Sequence, residues 1–258
     1  MSARHRARRL PAPAVVAAAW LAGSVPFSNI AARRVARVDL RGVGHGTVSG
    51  TALYEVAGFR PLAVAGVCEV AKGAVGPVLA GRDRPGLGAL AATAAVAGHN
   101  WSPWLGGAGG RGVSVALGAF LPLAWPGTVA LALGLAGGRL ARQTGLGTLI
   151  GAAATVPLVR RTHGRAAAAG AAGIVGVMVA KRLAGNRPAD PRAAHTYLHR
   201  LLFDSDPPGP GAPAGGGQRE RRAAAGAAAR EPGRAPAASA RAGAGPDGGA
   251  APAGEGRP

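Results

Sequence analysis

Cysteine is almost missing from this chain, and the one thiol, Cys68, excludes an internal disulfide framework and any cysteine-based zinc cluster. It reads as a small buried apolar residue. Aromatic residues are scarce, at 4% of 258 residues, although 30 Lys and Arg face only 11 Asp and Glu. A basic chain without interleaved rings lacks the platform on which bases stack, so no nucleic-acid partner is expected. Lysine is rarer still, since Lys72 and Lys181 are the two examples and arginine supplies the remaining positive charge. No metal-ligand cluster is evident either. A metal-independent site without a cofactor is expected.

Long apolar runs are what the chain has instead. From about Leu10 to Ala184 it is rich in Ala, Val, Leu and Gly, whereas Asp204 to Pro258 is Pro, Gly, Ala and Arg with almost no large apolar residue. The second part builds no core, and a disordered basic tail is expected over 203–258. The division that follows is a basic segment at 1–9, a membrane domain at 10–202 and that tail. Arg4, Arg6, Arg8 and Arg9 precede Ala12 to Ala22 in the manner of a signal peptide, but the run continues to Ala32, long enough to span. Further runs at about Pro61–Leu79, Leu87–Leu105, Val113–Trp125, Gly127–Leu140, Leu146–Val159 and Ala166–Ala180 predict an all-α polytopic bundle of about seven transmembrane helices. The abundance of small residues allows the helices to pack closely.

Seven spans put the termini on opposite sides of the membrane. A cytoplasmic C-terminus also places Arg33, Arg34, Arg37, Arg41, Arg111, Arg139 and Arg142 inside, the side where positive loops accumulate. The arginines from Arg4 to Arg9, with Arg82, Arg84, Arg160 and Arg161, are exceptions to that pattern. Leu198–Leu202 reads as a short interfacial helix. The arginines of the tail either hold it against anionic lipid or belong to a solvated extension.

Three polar sets fall at span ends that share one face. The first is Ser24 with Asp39-Leu40-Arg41 and the glycine-rich stretch from Gly42 to Thr51. The second is Glu69 with Lys72, three residues apart on one helical face inside an apolar run, a costly arrangement that implies either a mutual ion pair or a ligand. The third runs from Ala97 through His99 to Val113 and holds Gly109-Gly110-Arg111-Gly112. Glycines let successive N–H groups converge on an anion, Arg111 adds a charge that does not titrate, and a helix beginning at Val113 would present its positive end. Read alone, this stretch is a phosphate loop or a flexible membrane turn carrying a topological arginine. His99 reads as a proton acceptor or as a hydrogen-bonded structural residue.

Together these motifs resemble those of the bacterial acyl-phosphate:glycerol-3-phosphate acyltransferases, a polytopic membrane family, from Gly23 to about Leu202. Gly23-Ser24-Val25-Pro26-Phe27 is similar to the family's Gly-Ser-Ile-Pro opening, Asp39-Leu40-Arg41 to its Asp-Ile-Arg, and Glu69-Val70-Ala71-Lys72-Gly73 to its Asp-Val-Leu-Lys-Gly. Gly98-His99, Pro103 and Gly109-Gly110-Arg111-Gly112-Val113 resemble its Gly-His…Pro…Gly-Gly-Lys-Gly-Val, with arginine for lysine. Gly145-Leu146-Gly147-Thr148 stands where the family has Ser-Leu-Gly-Ser. Either Arg182 with Asn186 or His199-Arg200 stands for its His-Arg-x-Asn-Ile element.

The resemblance implies acyl transfer from acyl phosphate to glycerol-3-phosphate, giving lysophosphatidic acid in the inner membrane among phospholipids, without acyl-CoA or acyl carrier protein. It implies that Arg111 and the N–H groups of Gly109, Gly110 and Gly112 hold one phosphate. Arg41 and Lys72 would hold the other, Ser24 would orient a substrate oxygen, and His99 would take a proton. Where the family carries two asparagines and an arginine in the loop after Asp-Ile-Arg, this chain has Thr47, Ala52 and Glu55. Those replacements support an alternative, a catalytically degenerate paralogue that binds phospholipid or a phosphorylated metabolite. A transporter has little support, because no pair of broken spans recurs in matching halves.

Overall fold

In the computed structural model, which describes residues 9–187 and 194–203, all the regular structure among the described residues is helical. Helices α1 (Ala12–Ser24) and α2 (Phe27–Val35) form one interrupted rod, followed by the short α3 (Gly50–Ala57). Helices α4 (Phe59–Ala80), α5 (Pro85–Asn100), α6 (Val113–Leu140) and α7 (Thr144–Ala184) complete the bundle, and α8 (Ala194–Phe203) closes it. The expected tail, apart from Phe203, and residues 1–8 lie outside the described residues.

Four stretches, Ala12–Val35, α4, α6 and α7, are long and apolar enough to cross a membrane. Two of these are hairpins. A straight helix of 41 residues would be about 61 Å long, roughly twice a bilayer's apolar core, but α7 breaks at Gly164, where φ is 82°. Arg182 Nη1 therefore reaches the carbonyl of Gly145 at 2.8 Å across 37 residues of sequence. Helix α6 turns at Ala124, between Pro122 and Pro126. Pro126 has no N–H to donate and its ring excludes the carbonyl four residues before it. The Thr128 hydroxyl then donates to the Leu117 carbonyl at 3.1 Å, which no straight helix permits across 11 residues.

The four arms correspond to the four apolar runs between Val113 and Ala180. The run expected over Leu87–Leu105 is shorter as a helix, because α5 ends at Asn100 and the chain enters a loop with a 3₁₀ turn at Pro103–Leu105. The expected interfacial segment near the end is helical, as part of α8.

The bundle is apolar on its outside as well as in its core, and it encloses a polar cluster. Val64, Val67, Leu133 and Ile150 face outwards, whereas Ser24, Asn29, Glu69, Lys72 and His99 are buried. This is the distribution that lipid selects, since each polar group away from water must find its partner inside the protein. Contact between helices then rests on close approach rather than large side chains. A Cβ added to Gly118 would lie 1.8 Å from the Val70 carbonyl oxygen, and one added to Gly73 would lie 2.0 Å from that of Val115, so α4 and α6 touch backbone to backbone.

Gly118→Ala is expected to force α4 and α6 apart and cost about 1–3 kcal/mol, read as a lower melting temperature in detergent. Gly66→Ala, at a helical position with open space around its Cβ, is expected to melt no lower than the parent. A Gly118→Ala protein melting with the parent would show that the backbone contact does not limit packing.

Candidate functional site

The site begins with the proline that interrupts the first rod. Pro26 cannot continue α1, so the chain breaks after Ser24 and restarts at Phe27, leaving polar backbone groups without helical partners. Three side chains from elsewhere meet them. The Ser102 hydroxyl donates to the Ser24 carbonyl at 2.7 Å, Lys72 Nζ donates to the Val25 carbonyl at 2.6 Å, and Glu69 Oε1 accepts from the Ser28 N–H at 3.1 Å and from its hydroxyl at 3.2 Å. The break is what gives a buried charge pair something to bind.

Lys72 Nζ lies 2.7 Å from Glu69 Oε2, and both side chains are only 3% exposed. His99 completes the cluster, its Nδ1 being 3.1 Å from Lys72 Nζ and 3.2 Å from Glu69 Oε2. The other imidazole nitrogen, Nε2, faces Gly110, where a Cβ would come within 2.2 Å of it. Glycine at that position is thus required by the histidine beneath it. Of the alternatives open for Glu69 and Lys72, the mutual ion pair is present, and it extends to His99.

Above this cluster two loops are drawn together by one asparagine at the end of α7. Asn186 Nδ2 donates to the carbonyls of Gly46 at 2.9 Å and Gly109 at 2.8 Å, while its Oδ1 accepts from the Gly109 N–H at 3.2 Å. The Val48 N–H donates to the Gly109 carbonyl at 3.1 Å. The Gly110 N–H goes to the His99 carbonyl at 3.3 Å. Gly109 and Gly110 therefore spend their N–H groups inside the protein, which differs from the convergent nest expected over Gly109–Gly112. Gly112, with φ of 78°, is the N-cap of α6, whose first-turn N–H groups have no acceptor within the helix.

Three cations touch this loop. Arg41 Nη1 reaches the Leu105 carbonyl at 3.4 Å, and Lys181 Nζ reaches that of Gly107 at 3.4 Å while lying 5.3 Å from the centre of the Trp101 ring. Arg111 is buried, with Nη1 3.4 Å from the Arg182 carbonyl and Nη2 3.5 Å from the Thr47 hydroxyl. Arg41 is steadied by Asp39, which caps a short 3₁₀ turn at Leu40–Gly42 and also pairs with Arg33. The Arg41 guanidinium holds the Asp39 carboxyl well below the usual carboxylate range. A carboxylate lowered in this way stabilises the fold above its ordinary value of about 3.9 and loses that contribution only as pH falls through the lowered one. The clamp is therefore intact at neutral pH.

The three polar sets expected on one face thus meet. Ser24 donates to the Leu21 carbonyl at 2.7 Å and accepts from Trp104 Nε1 at 2.9 Å. Lys72 is more deeply placed than Arg41, being almost fully buried against Glu69, whereas 42% of the Arg41 side chain is exposed. Of the two candidates for the last motif, Arg182 and Asn186 belong to the site. Arg182 is buried and bonds Gly145, Leu201 and the Thr148 hydroxyl, holding the α6–α7 turn at this end. Arg200 instead caps α7 through the carbonyls of Leu183, Ala184 and Arg187, and His199 stacks on Phe203. Lys181 was not among the expected site residues, and its one signal in the sequence is the rarity of lysine. Among the described residues no group of three or more metal-ligating side chains gathers.

Known proteins resemble this chain in sequence and in fold. The profile of the Glycerol-3-phosphate acyltransferase family matches residues 13–186. A glycerol-3-phosphate acyltransferase of Synechococcus sp. (strain CC9902) is 35% identical over 199 residues, covering 75% of this chain and 92% of that protein. The enzyme of the same name from Shouchella clausii is 37% identical over 127 residues, 46% of this chain and 62% of its own length. Among solved structures, PlsY, an integral membrane glycerol 3-phosphate acyltransferase, superposes in its glycerol 3-phosphate form with a TM-score of 0.63 at 20% identity. That alignment covers 76% of this chain and 94% of that one.

Glu69→Gln is expected to leave the Lys72 ammonium buried without its counter-charge and to cost about 3–5 kcal/mol, seen as a large drop in melting temperature. The double variant Glu69→Gln, Lys72→Met is expected to recover much of that loss. If the single variant melts with the parent, the pair does not hold the core.

Proposed function

Because the chain belongs to the glycerol-3-phosphate acyltransferase family, we propose that it transfers an acyl group from acyl phosphate to glycerol-3-phosphate and releases lysophosphatidic acid and phosphate. The observation that carries this reading is the gathering of Arg41, Arg111 and Lys181 on one glycine loop beside a buried histidine. Two phosphate-bearing substrates repel each other, and a site that joins them needs several fixed cations at one place. Arg111 with the first turn of α6 holds one phosphate, and Arg41 with Lys181 holds the other.

The glycerol oxygen attacks the acyl carbonyl carbon, a new C–O ester bond forms, and the bond from that carbon to the phosphate oxygen breaks. Phosphate leaves with the bonding electron pair. His99, its Nδ1 held by the Glu69–Lys72 pair, takes the hydroxyl proton at Nε2 and passes it to the departing phosphate. Ser24 orients a substrate oxygen, and Lys72 acts as a positioning residue. The donor is already activated as a mixed anhydride, so placing the reactants supplies much of the rate.

Two of the three replacements, Thr47 and Glu55, fit an active site. Thr47 meets Arg111 through its hydroxyl, and Glu55 lies on an exposed face of α3. A carboxylate exposed there is screened by solvent.

Counting α1 with α2, α4, α5 and the two arms each of α6 and α7 gives seven crossings. The loop end of the bundle carries Arg33, Arg34, Arg37, Arg139 and Arg142 besides the site cations, and so outweighs the arginines of the other end in positive charge, which supports a cytoplasmic site and C-terminus. Topology reporters fused to either terminus in a bacterial inner membrane are expected to read outside at the N-terminus and inside at the C-terminus. Reporters on the same side would overturn the seven-crossing count.

Purified protein in detergent is expected to convert glycerol-3-phosphate and a long-chain acyl phosphate to lysophosphatidic acid, and Arg111→Ala to lower kcat/KM about 100-fold or more. Folded parent protein that makes no product would favour the degenerate lipid- or phosphate-binding paralogue.

A further inference from the structure

The end of the bundle opposite the glycine loop holds a crevice of about 580 Å³, within the ~300–1,000 Å³ of small-ligand sites. It forms where both hairpins turn. The α6 break at Ala124 and the α7 arm beginning after His163 close on the turn between α4 and α5 at Arg82. Val78, Leu121 and Trp125 line it with apolar surface, and all three remain exposed, so the crevice is open along its side. Arg82 and His163 are its charged or titratable lining groups.

This end is strongly basic. Arg9, Arg82, Arg84, Arg160, Arg161 and Arg165 gather there, and Asp83 is the one acid among the described residues at this end. Asp83 is occupied by Arg9. Arg84 uses its guanidinium on the carbonyls of Leu10, Leu79 and Ala80, tying the start of α1 to the end of α4. No hydrogen bond or ion pair among the described residues takes Arg82. An exposed arginine and an exposed imidazole, the latter with its Nδ1 2.9 Å from the Thr162 hydroxyl, thus line an apolar slot that is open on the side of Trp125, a ring type that settles among lipid headgroups.

We propose that this crevice binds an anionic phospholipid of the adjoining leaflet. Arg82 and His163 hold its phosphate, and one acyl chain lies along Val78, Leu121 and Trp125. Charge complementarity selects an acidic headgroup over a zwitterionic one. The side opening suits a ligand that is itself part of the bilayer. Bound there, the lipid would bridge the turns of both hairpins and the α4–α5 turn. The proposal stands at the other end of the molecule from the acyl-transfer site and is independent of that reading.

The test reconstitutes the full chain in nanodiscs of equimolar phosphatidylglycerol and phosphatidylcholine, extracts it in mild detergent, and counts retained lipids by mass spectrometry. Severalfold enrichment of phosphatidylglycerol is expected, at about one molecule per chain. Arg82→Gln should bring the ratio close to one. Val78→Trp, which fills the slot, should lower the retained phosphatidylglycerol several-fold, and Arg161→Gln, outside the crevice, should leave the enrichment in place. His163→Gln supplies the headgroup test if Arg82→Gln fails to fold. Equal retention of the two lipids by the parent, enrichment that survives loss of the headgroup contact, or an equal loss in Arg161→Gln would each overturn the site.

Discussion

The arrangement depends on a helix that is stopped inside an apolar bundle. Pro26 strips the first rod of its regular hydrogen bonds where water is not available to replace them, and an unmet backbone group in such a place costs free energy comparable to a lost hydrogen bond. The compensation is ionic. Lys72 donates to the Val25 carbonyl, Glu69 accepts from Ser28, and the two neutralise each other. A buried ion pair is often a poor source of stability, because desolvating both charges offsets their attraction. Here the broken helix supplies extra hydrogen bonds on both sides of the pair, so each defect satisfies the other. His99 sits against the result, with one ring nitrogen fixed and the other turned to the glycine loop.

That geometry requires helices close enough for short side chains to meet. A Cβ on Gly23 would come within 2.1 Å of the Ala95 carbonyl oxygen, and one on Gly98 within 2.3 Å of that of Trp20. These contacts seat α1 against α5 one turn from Ser24 and His99. Larger residues would move the rods apart, and the hydrogen bond from Ser102 to the Ser24 carbonyl would not form. Sparse side chains in the bundle and a dense polar network at its end are therefore one feature, since the first makes the second reachable.

Much of this was legible in the chain before its structure. The apolar runs mark the arms of the bundle, including the two created by breaks inside α6 and α7, because proline and polar residues interrupt hydropathy where they interrupt helices. Glu69 and Lys72 stood out by their cost, and Arg111 by its glycines. The partners of the loop did not stand out. Asn186 and Gly46 are 140 residues apart, and nothing local distinguishes an asparagine that joins two loops from one that faces solvent. The use of the Gly109 and Gly110 N–H groups was equally hidden, since a glycine pattern records permitted backbone shapes and not which acceptor meets each donor. The rod read as one span from Ala12 to Ala32 was broken, and the break proved the more informative fact.

The loop replacements show how charge must be judged in three dimensions. Glu55 looks like a reversal of sign when aligned by position, yet an exposed carboxylate on α3 is screened by solvent, and its field falls away within about 10 Å at moderate salt. Buried groups receive no such screening. What matters is the sign carried by residues that water cannot reach, and in the loop and at the end of α7 these are Arg111, Lys181 and Arg182, all positive. The deeper acid, Glu69, is already matched by Lys72. Net positive charge therefore survives where an anion would be desolvated. A loop can then exchange an asparagine for Thr47, so long as another donor joins its backbone to the glycine turn, and Asn186 does so with both hydrogens of its amide.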